Sequence, residues 1–254
     1  MARVADFSLD GKSAIVTGGS RGIGRSIALA LAEAGARVVV AARKLPDMEG
    51  VVNEIRQRGG VAIAVETNVR ESAQLENLVQ RTIAEFGRID ILVNNAGTNP
   101  VFGGIESLDD RAWDVIMSTN VRAAWQLSKL CRPHMIANGG GSIINVSSTG
   151  GLRPSFGLGC YSVSKAALIM LTRVMASEWG RQGIRVNCIA PGLIRTEFSR
   201  ALWDNPQILE NALRQTPLGR IGEPDEMAGT VVFLASPAAS YIDAQVFAVD
   251  GGGS

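Results

Sequence analysis

Tyr161 and Lys165 stand four residues apart in "YSVSK", at the start of a run, "YSVSKAALIMLTRVMASEW", that reads as a buried helix. Four residues is about one helical turn, so the phenol and the ammonium lie on the same face. A lysine that only snorkels to water would leave the tyrosine as packing. An ammonium held beside the phenol favours the phenolate and so changes where the proton can go. A free phenol titrates near ~10, too high for an efficient base at neutral pH. Lowering it by ~3 units takes about 4 kcal/mol in favour of the phenolate, and a nearby charge at low dielectric can supply much of that. Lys12, Lys44, Lys129 and Lys165 are the only lysines among 25 basic residues, which makes this pairing less incidental. Tyr241, the other tyrosine, has no lysine nearby. His134, the single histidine, has no partners for a triad or a metal set, and no metal is expected.

A second chemical feature lies near the start. "TGGSRGIGRSIALALAEAGA" carries Gly18, Gly22 and Gly24 as GxxxGxG, between an apolar run and a helical one. Glycines in that place permit a tight turn and close backbone approach to a pyrophosphate, which the helix N-terminus then holds. The next strand decides the dinucleotide. An acid at its end would bind the ribose 2′-hydroxyl, but "VVVAARK" has none before Asp47. Arg43 stands there instead, with Arg21 in the glycine turn, and two planar forks of donors suit a 2′-phosphate. NADP(H) is expected in preference to NAD(H).

The elements that must position these residues alternate along the chain. Strands are expected at 13–17, 37–42, 61–65, 90–95, 142–147, 185–190 and 245–250, most of them continuously apolar. Helices are expected near 23–34, 45–58, 72–86, 109–130, 160–180 and 224–235. Gly35 ends the first helix, Ser107 is the expected cap of the fourth, and Pro224 sits in the first turn of the last. Repeated β-α-β units imply a parallel sheet with helices on both faces. No linker, repeat or composition break appears, so residues 1–254 read as one domain, with 193–216 as a candidate lid.

Composition narrows the partners. A net charge of +1 without a Lys/Arg block gives no footprint for nucleic acid. Neither a signal-length apolar segment nor 18 consecutive apolar residues occurs, so a membrane partner is not expected. Cys131, Cys160 and Cys188 are widely spaced without a CxxC pair, as buried free thiols of a cytoplasmic protein would be.

Taken in order, "TGGSRGIG", "NNAG" (94–97), Asn120, "NVSS" (145–148), "YSVSK", "RVNCIAPG" (185–192) and "VDGG" (249–252) closely resemble the short-chain dehydrogenase/reductase family, over essentially the whole chain. The resemblance implies a Rossmann-type doubly wound sheet of order 3-2-1-4-5-6-7. It also implies hydride transfer from the B face of a nicotinamide to a carbonyl, or the reverse.

In that reading Tyr161 is the general acid/base, and Lys165 lowers its pKa and holds the nicotinamide ribose. Ser148, thirteen residues before Tyr161, hydrogen-bonds the substrate oxygen, with Ser147 as its competitor. Asn120 holds a water that links Lys165 to solvent. Ser20, Arg21 and Ile23 join the three glycines around the phosphates. Asn95, Ala96 and Gly97 stack against adenosine, with Asn95 also bonding main chain. Asn68-Val69 faces adenine, where relatives usually carry Asp-Val. Pro191, Gly192, Ile194 and Thr196 hold the carboxamide.

Arg153, Phe156, Cys160, Phe198, Leu202 and Trp203 are the expected pocket, largely apolar with room for one anionic group. Cys160 also reads as small apolar filler. Asp243-Ala244 stands where relatives commonly carry Thr-Gly, near a segment used for assembly. A homotetramer or dimer through helices 109–130 and 160–180 is implied. The leading expectation is an NADPH-dependent carbonyl reductase on a small-molecule substrate. An NAD-dependent alcohol dehydrogenase or a 3-oxoacyl-thioester reductase is the alternative, and a non-catalytic dinucleotide-binding regulator the last.

Overall fold

The computed structural model describes residues 6–155 and 157–254. Phe156, expected in the substrate pocket, lies outside the described residues. The chain runs β1 (Ser13–Thr17), α1 (Gly22–Glu33), β2 (Arg37–Ala42), α2 (Leu45–Gln57), β3 (Val61–Glu66), α3 (Ser72–Phe86) and β4 (Ile91–Asn94). It continues through α4 (Asp110–Met117), α5 (Ala123–Ala137), β5 (Gly141–Val146), α6 (Gly159–Trp179) and β6 (Ile184–Pro191). Helices α7 (Arg200–Trp203), α8 (Pro206–Gln215) and α9 (Asp225–Ala235) precede the last strand, β7 (Val246–Val249).

All seven strands are parallel, in the order β3-β2-β1-β4-β5-β6-β7. Successive side chains of a strand point to opposite faces, and here both faces are covered. Ala14 and Val16 pack with Ile27, Leu31 and Val231 on the side of α1, α2 and α9. Ile15 between them packs with Leu78, Leu127 and Met175 on the side of α3, α5 and α6. This double burial is why the strands are continuously apolar and legible. It also forces the chemistry to the carboxyl edge of the sheet, where the strands end in loops.

Two local expectations are corrected. The expected helix 109–130 is two helices joined by a π-turn at Ser118–Arg122, and the second runs through Pro133 to Ala137. Pro133 lies exposed inside α5 without ending the helix. The cap of α4 is Asp109, whose carboxylate accepts from the Ala112 N–H at 2.7 Å, whereas Ser107 ends a 3-10 turn and donates to the Gly104 carbonyl. Segment 193–216, an interruption of the alternation in sequence, contains α7 and α8. Asn205 caps α8 through the N–H groups of Gln207 and Ile208.

Candidate active site

The glycine turn follows β1. Gly18 and Gly22 have φ of +64° and +53°, a region where a side chain is strained. A Cβ on Gly24 would run into the Gly18 carbonyl oxygen and Asn95 Nδ2. The turn is therefore a cradle that only glycine leaves open. Helix α1 begins there without a side-chain cap, which leaves its first N–H groups available to an anion. Ser20 is partly buried in this turn, and Ile23 packs on the core below.

Strand register brings the two arginines to the same place. Thr17 pairs with Ala41, so the end of β2 with Arg43 lies beside the turn that carries Arg21. Both are exposed. The neighbouring Arg25 and Arg58 share Glu54, whereas Arg21 and Arg43 have no ion-pair partner among the described residues.

Asn95 staples β1 to β4. Its Nδ2 donates to the carbonyls of Thr17 and Gly18 at 2.9 and 3.2 Å, as expected of a main-chain role. Thr17 Oγ1 accepts the N–H groups of Asn95 and Ala96 at 3.0 and 3.1 Å. A Cβ on Gly97 would stand 3.5 Å from Lys165 Nζ and 3.6 Å from Asn120 Oδ1, so Gly97 leaves room between the two ends of the site. Val69 lines a small cavity with Ala96 and Asn120, while the Asn68 carboxamide oxygen accepts from Arg70 N–H at 3.3 Å.

At the chemical end, strand alternation separates the two serines. Ser147 is buried and its hydroxyl donates to the Lys165 carbonyl at 2.8 Å. Ser148 faces the other way, toward Tyr161, and accepts the Gly150 N–H at 3.0 Å. Lys165 is buried, with Nζ donating to the Val146 carbonyl at 2.8 Å and lying 5.5 Å from the Tyr161 ring centroid.

Burial dominates both groups. It pushes the Tyr161 phenol up to about 12, an effect the Ser148 hydroxyl partly offsets. It pushes Lys165 down to about 8, against a small opposing pull from Cys188 beneath it. The expected lowering of the phenol is therefore not produced by the protein alone. Desolvation of the phenolate outweighs the hydrogen bond from Ser148.

Asn120 sits in the π-turn between α4 and α5, and such turns recur at functional sites because they redirect one residue out of helical register. Its carboxamide grips Thr98, accepting from the N–H at 2.8 Å and donating to the carbonyl at 3.0 Å. The other amide hydrogen goes to Ser164 Oγ at 2.9 Å, and Ser164 donates to the Tyr161 carbonyl at 2.7 Å. Ser164, absent from the sequence-based set, thus connects Asn120 to the turn that carries Tyr161. A small hydroxyl in a small-residue helix gave no signal of that role.

The substrate side is less uniformly assembled. Phe198 lies 6.0 Å from Tyr161, ring to ring. Trp203 is half-buried and its Nε1 donates to the Thr196 carbonyl at 3.1 Å, with Arg195 stacked over its ring. Leu202 is half-buried beside it. Arg153 is exposed in the loop after β5, and Cys160 lines a separate small cavity with Val101, Ile105 and Leu108. Pro191 ends β6, Gly192 follows it, and Ile194 pairs with Gly222. Thr196 packs on the glycine turn, its Cγ2 3.2 Å from the place of a Gly22 Cβ. No group of side chains among the described residues is arranged to hold a metal.

Residues 18–254 match a family model described as enoyl-(acyl carrier protein) reductase, one of the short-chain dehydrogenase/reductases. The chain belongs to the short-chain dehydrogenase/reductase family. Dehydrogenase/reductase SDR family member 4 of Oryctolagus cuniculus is 42% identical over 96% of this chain and 94% of its own. A 7α-hydroxysteroid dehydrogenase solved with NADH and 7-oxo glycochenodeoxycholic acid superposes with a TM-score of 0.95, at 38% identity over 100% of this chain and 98% of that one. A gluconate 5-dehydrogenase of Burkholderia cenocepacia, solved with NADP and tartrate, gives 0.94, at 36% identity over 98% and 97%. As a short-chain dehydrogenase/reductase, the protein is an oxidoreductase.

Proposed function

We propose that the protein is an NADP(H)-dependent carbonyl reductase, or in reverse a secondary-alcohol dehydrogenase, with residues 1–254 as one catalytic domain. The observation that carries this is the convergence of Ser148, Tyr161, Lys165 and Asn120 at the carboxyl edge of the sheet, beside the glycine cradle at Gly18–Gly24. The cradle, the uncapped start of α1 and two arginines with no ion-pair partner among the described residues fit a dinucleotide 2′-phosphate and pyrophosphate. Gly18, Ser20, Arg21, Gly22, Ile23, Gly24 and Arg43 would hold the phosphate half. Asn68, Val69, Asn95, Ala96 and Gly97 would hold the adenosine. Lys165, Pro191, Gly192, Ile194 and Thr196 would hold the nicotinamide half.

The bound dinucleotide supplies the hydride in reduction and accepts it in oxidation. Ser148 donates a hydrogen bond to the substrate oxygen and aligns it with the phenol. Tyr161, protonated throughout the neutral range, gives its proton to that oxygen as charge develops there. Lys165, charged below about 8, stabilises the phenolate left behind. Asn120 keeps the Thr98 loop and the start of α6 at a fixed distance.

NADP(H) is favoured by Arg21 and Arg43. NAD(H) is the competing reading, because the steroid dehydrogenase neighbour holds NADH. Phe102, Ile105, Leu152, Phe198 and Leu218 are between 44% and 66% exposed on the three loops around the site. Such a rim suits a bulky apolar ketone and offers little to a polyhydroxy acid. A cytoplasmic location is in keeping with three free buried cysteines. Exposed Trp125, Met170 and Val174 on α5 and α6 support assembly through those helices as a dimer or tetramer.

The test is depletion of NADPH, and separately NADH, with a panel of cyclic and aromatic ketones, diketones and oxoacyl esters. Reduction of bulky ketones is expected, with kcat/KM for NADPH at least about ten-fold above NADH. If the panel yields no turnover with either cofactor, the reading fails.

A further inference from the structure

Residues 249–252, "VDGG", have no part in the chemistry above, yet they touch both ends of the segment that carries Phe198 and Trp203. At the first end, Gly192 N–H donates to the Val249 carbonyl at 3.1 Å. A Cβ on Gly192 would stand 2.8 Å from Asp250 Cβ and 3.0 Å from its Cα, so Asp250 is packed flat on this backbone. At the second end, Leu218 N–H donates to the Gly251 carbonyl at 3.2 Å. A Cβ on Gly251 would lie 2.8 Å from Thr216 Cγ2, and one on Gly252 would lie 3.1 Å from Pro217 Cγ. Gly251 and Gly252 have φ of +69° and +89°, which permits this double contact. Asp250 Oδ1 closes the turn by accepting the Gly252 N–H at 3.0 Å, while Oδ2 is buried with no partner among the described residues.

We infer that the Asp250–Gly252 turn is a clasp that positions the substrate strap. It holds residues 192 and 216–218 at the two roots of a strap about twenty residues long, the first root being tied also to Gly222 through the Leu193 carbonyl and the Arg195 N–H. Between those roots Phe198 is carried to Tyr161 and Thr196 to the glycine turn. With the roots spread, loop closure costs little, so a strap of this length would sample many positions. Asp250 and Gly251 are positioning residues, acting on substrate through Phe198 and Trp203. A buried carboxylate oxygen left unpartnered is costly, and holding this turn is the use the geometry gives it.

The effect on substrate rests on the proposed reduction, so the test has an arm independent of activity. Full-length parent, Asp250→Ala, Asp250→Asn and Gly251→Ala proteins are digested with trypsin under native conditions. Cleavage after Arg200 and Arg214 in the strap is compared with cleavage after Arg58, at the C-terminal cap of α2. Asp250→Ala and Gly251→Ala should be cut in the strap about ten-fold faster, with Arg58 unchanged. Asp250→Asn, which retains the Oδ1 acceptor, should behave as the parent.

In the activity arm, KM for ketone should rise about ten-fold in the first two variants, with kcat within three-fold. Equal strap cleavage in all four proteins, or equal acceleration at Arg58, overturns the clasp. So does an unchanged KM in a variant whose strap is opened. Strap opening in a protein whose parent reduces no ketone upholds the clasp and defeats the proposed function instead.

Discussion

The Lys165 ammonium lies 5.5 Å from the centre of the Tyr161 ring and donates to the Val146 carbonyl at 2.8 Å. It is therefore anchored to the end of β5, the strand that also delivers Ser148. Phenol and ammonium are placed by α6, and the hydroxyl by the turn that directly follows β5.

That burial has a pH consequence. Lys165 titrates at about 8 in the folded chain, below its ordinary value of 10.5. Above 10.5 it is neutral in both states, and as pH falls toward 8 only the unfolded chain takes up the proton, so stability is lost across that window. Denaturant unfolding of parent and Lys165→Met at several pH values isolates the effect. The parent should gain on the variant as pH rises from 8 to 10, and a pH-independent difference would contradict the assignment. The raised phenol of Tyr161 is present in both proteins and cancels.

Arg21 and Arg43, without an ion-pair partner among the described residues, predict cofactor choice. Arg43→Ala should lower kcat/KM for NADPH by about ten- to a hundred-fold, the scale of lost hydrogen bonds to a charged group, and leave NADH nearly unchanged. Steady-state kinetics with both cofactors check this. Equal losses for the two would assign Arg43 a structural role.

Asn120 is buried with both polar atoms of its carboxamide engaged. Asn120→Ala would strand the Thr98 N–H, the Thr98 carbonyl and Ser164 Oγ, and should cost about 3 kcal/mol of stability. Chemical denaturation measures it.

Ala244 has φ of +60°, the one non-glycine residue with positive φ among the described residues. A left-handed Ala is strained by about 1–2 kcal/mol, partly offset by the entropy cost of a glycine, so Ala244→Gly should stabilise by about 0.5–1 kcal/mol. Asp243 Oδ1 accepts the N–H groups of Val186 and Ala244 at 2.7 and 3.0 Å, which holds the strained turn at the edge of β6.

What was legible in sequence follows from burial. Strands covered on both faces are continuous apolar runs, and β1 and β2 fall on the expected residues. The π-turn at Asn120 was not legible, because one extra residue within a helical pattern leaves the apolar spacing nearly intact. Ser148 and Tyr161 were placed by spacing, but the strand alternation that turns Ser147 toward the Lys165 carbonyl belongs to the fold. Helix α8 had its signal in Asn205-Pro206, a cap followed by proline, within a segment that otherwise read as interruption. The sign of the Tyr161 shift could not be read from a four-residue gap, since it depends on how deeply the phenol is buried.

The central claim is that Tyr161 passes the proton in a hydride-transfer reaction. Single-turnover consumption of NADPH with a bulky apolar ketone, in the parent and in Tyr161→Phe, tests it directly. The account predicts a loss of about 10²–10⁴-fold in rate, the range of general acid–base catalysis, with NADPH affinity within two-fold of the parent. Equal rates in the two proteins would contradict it.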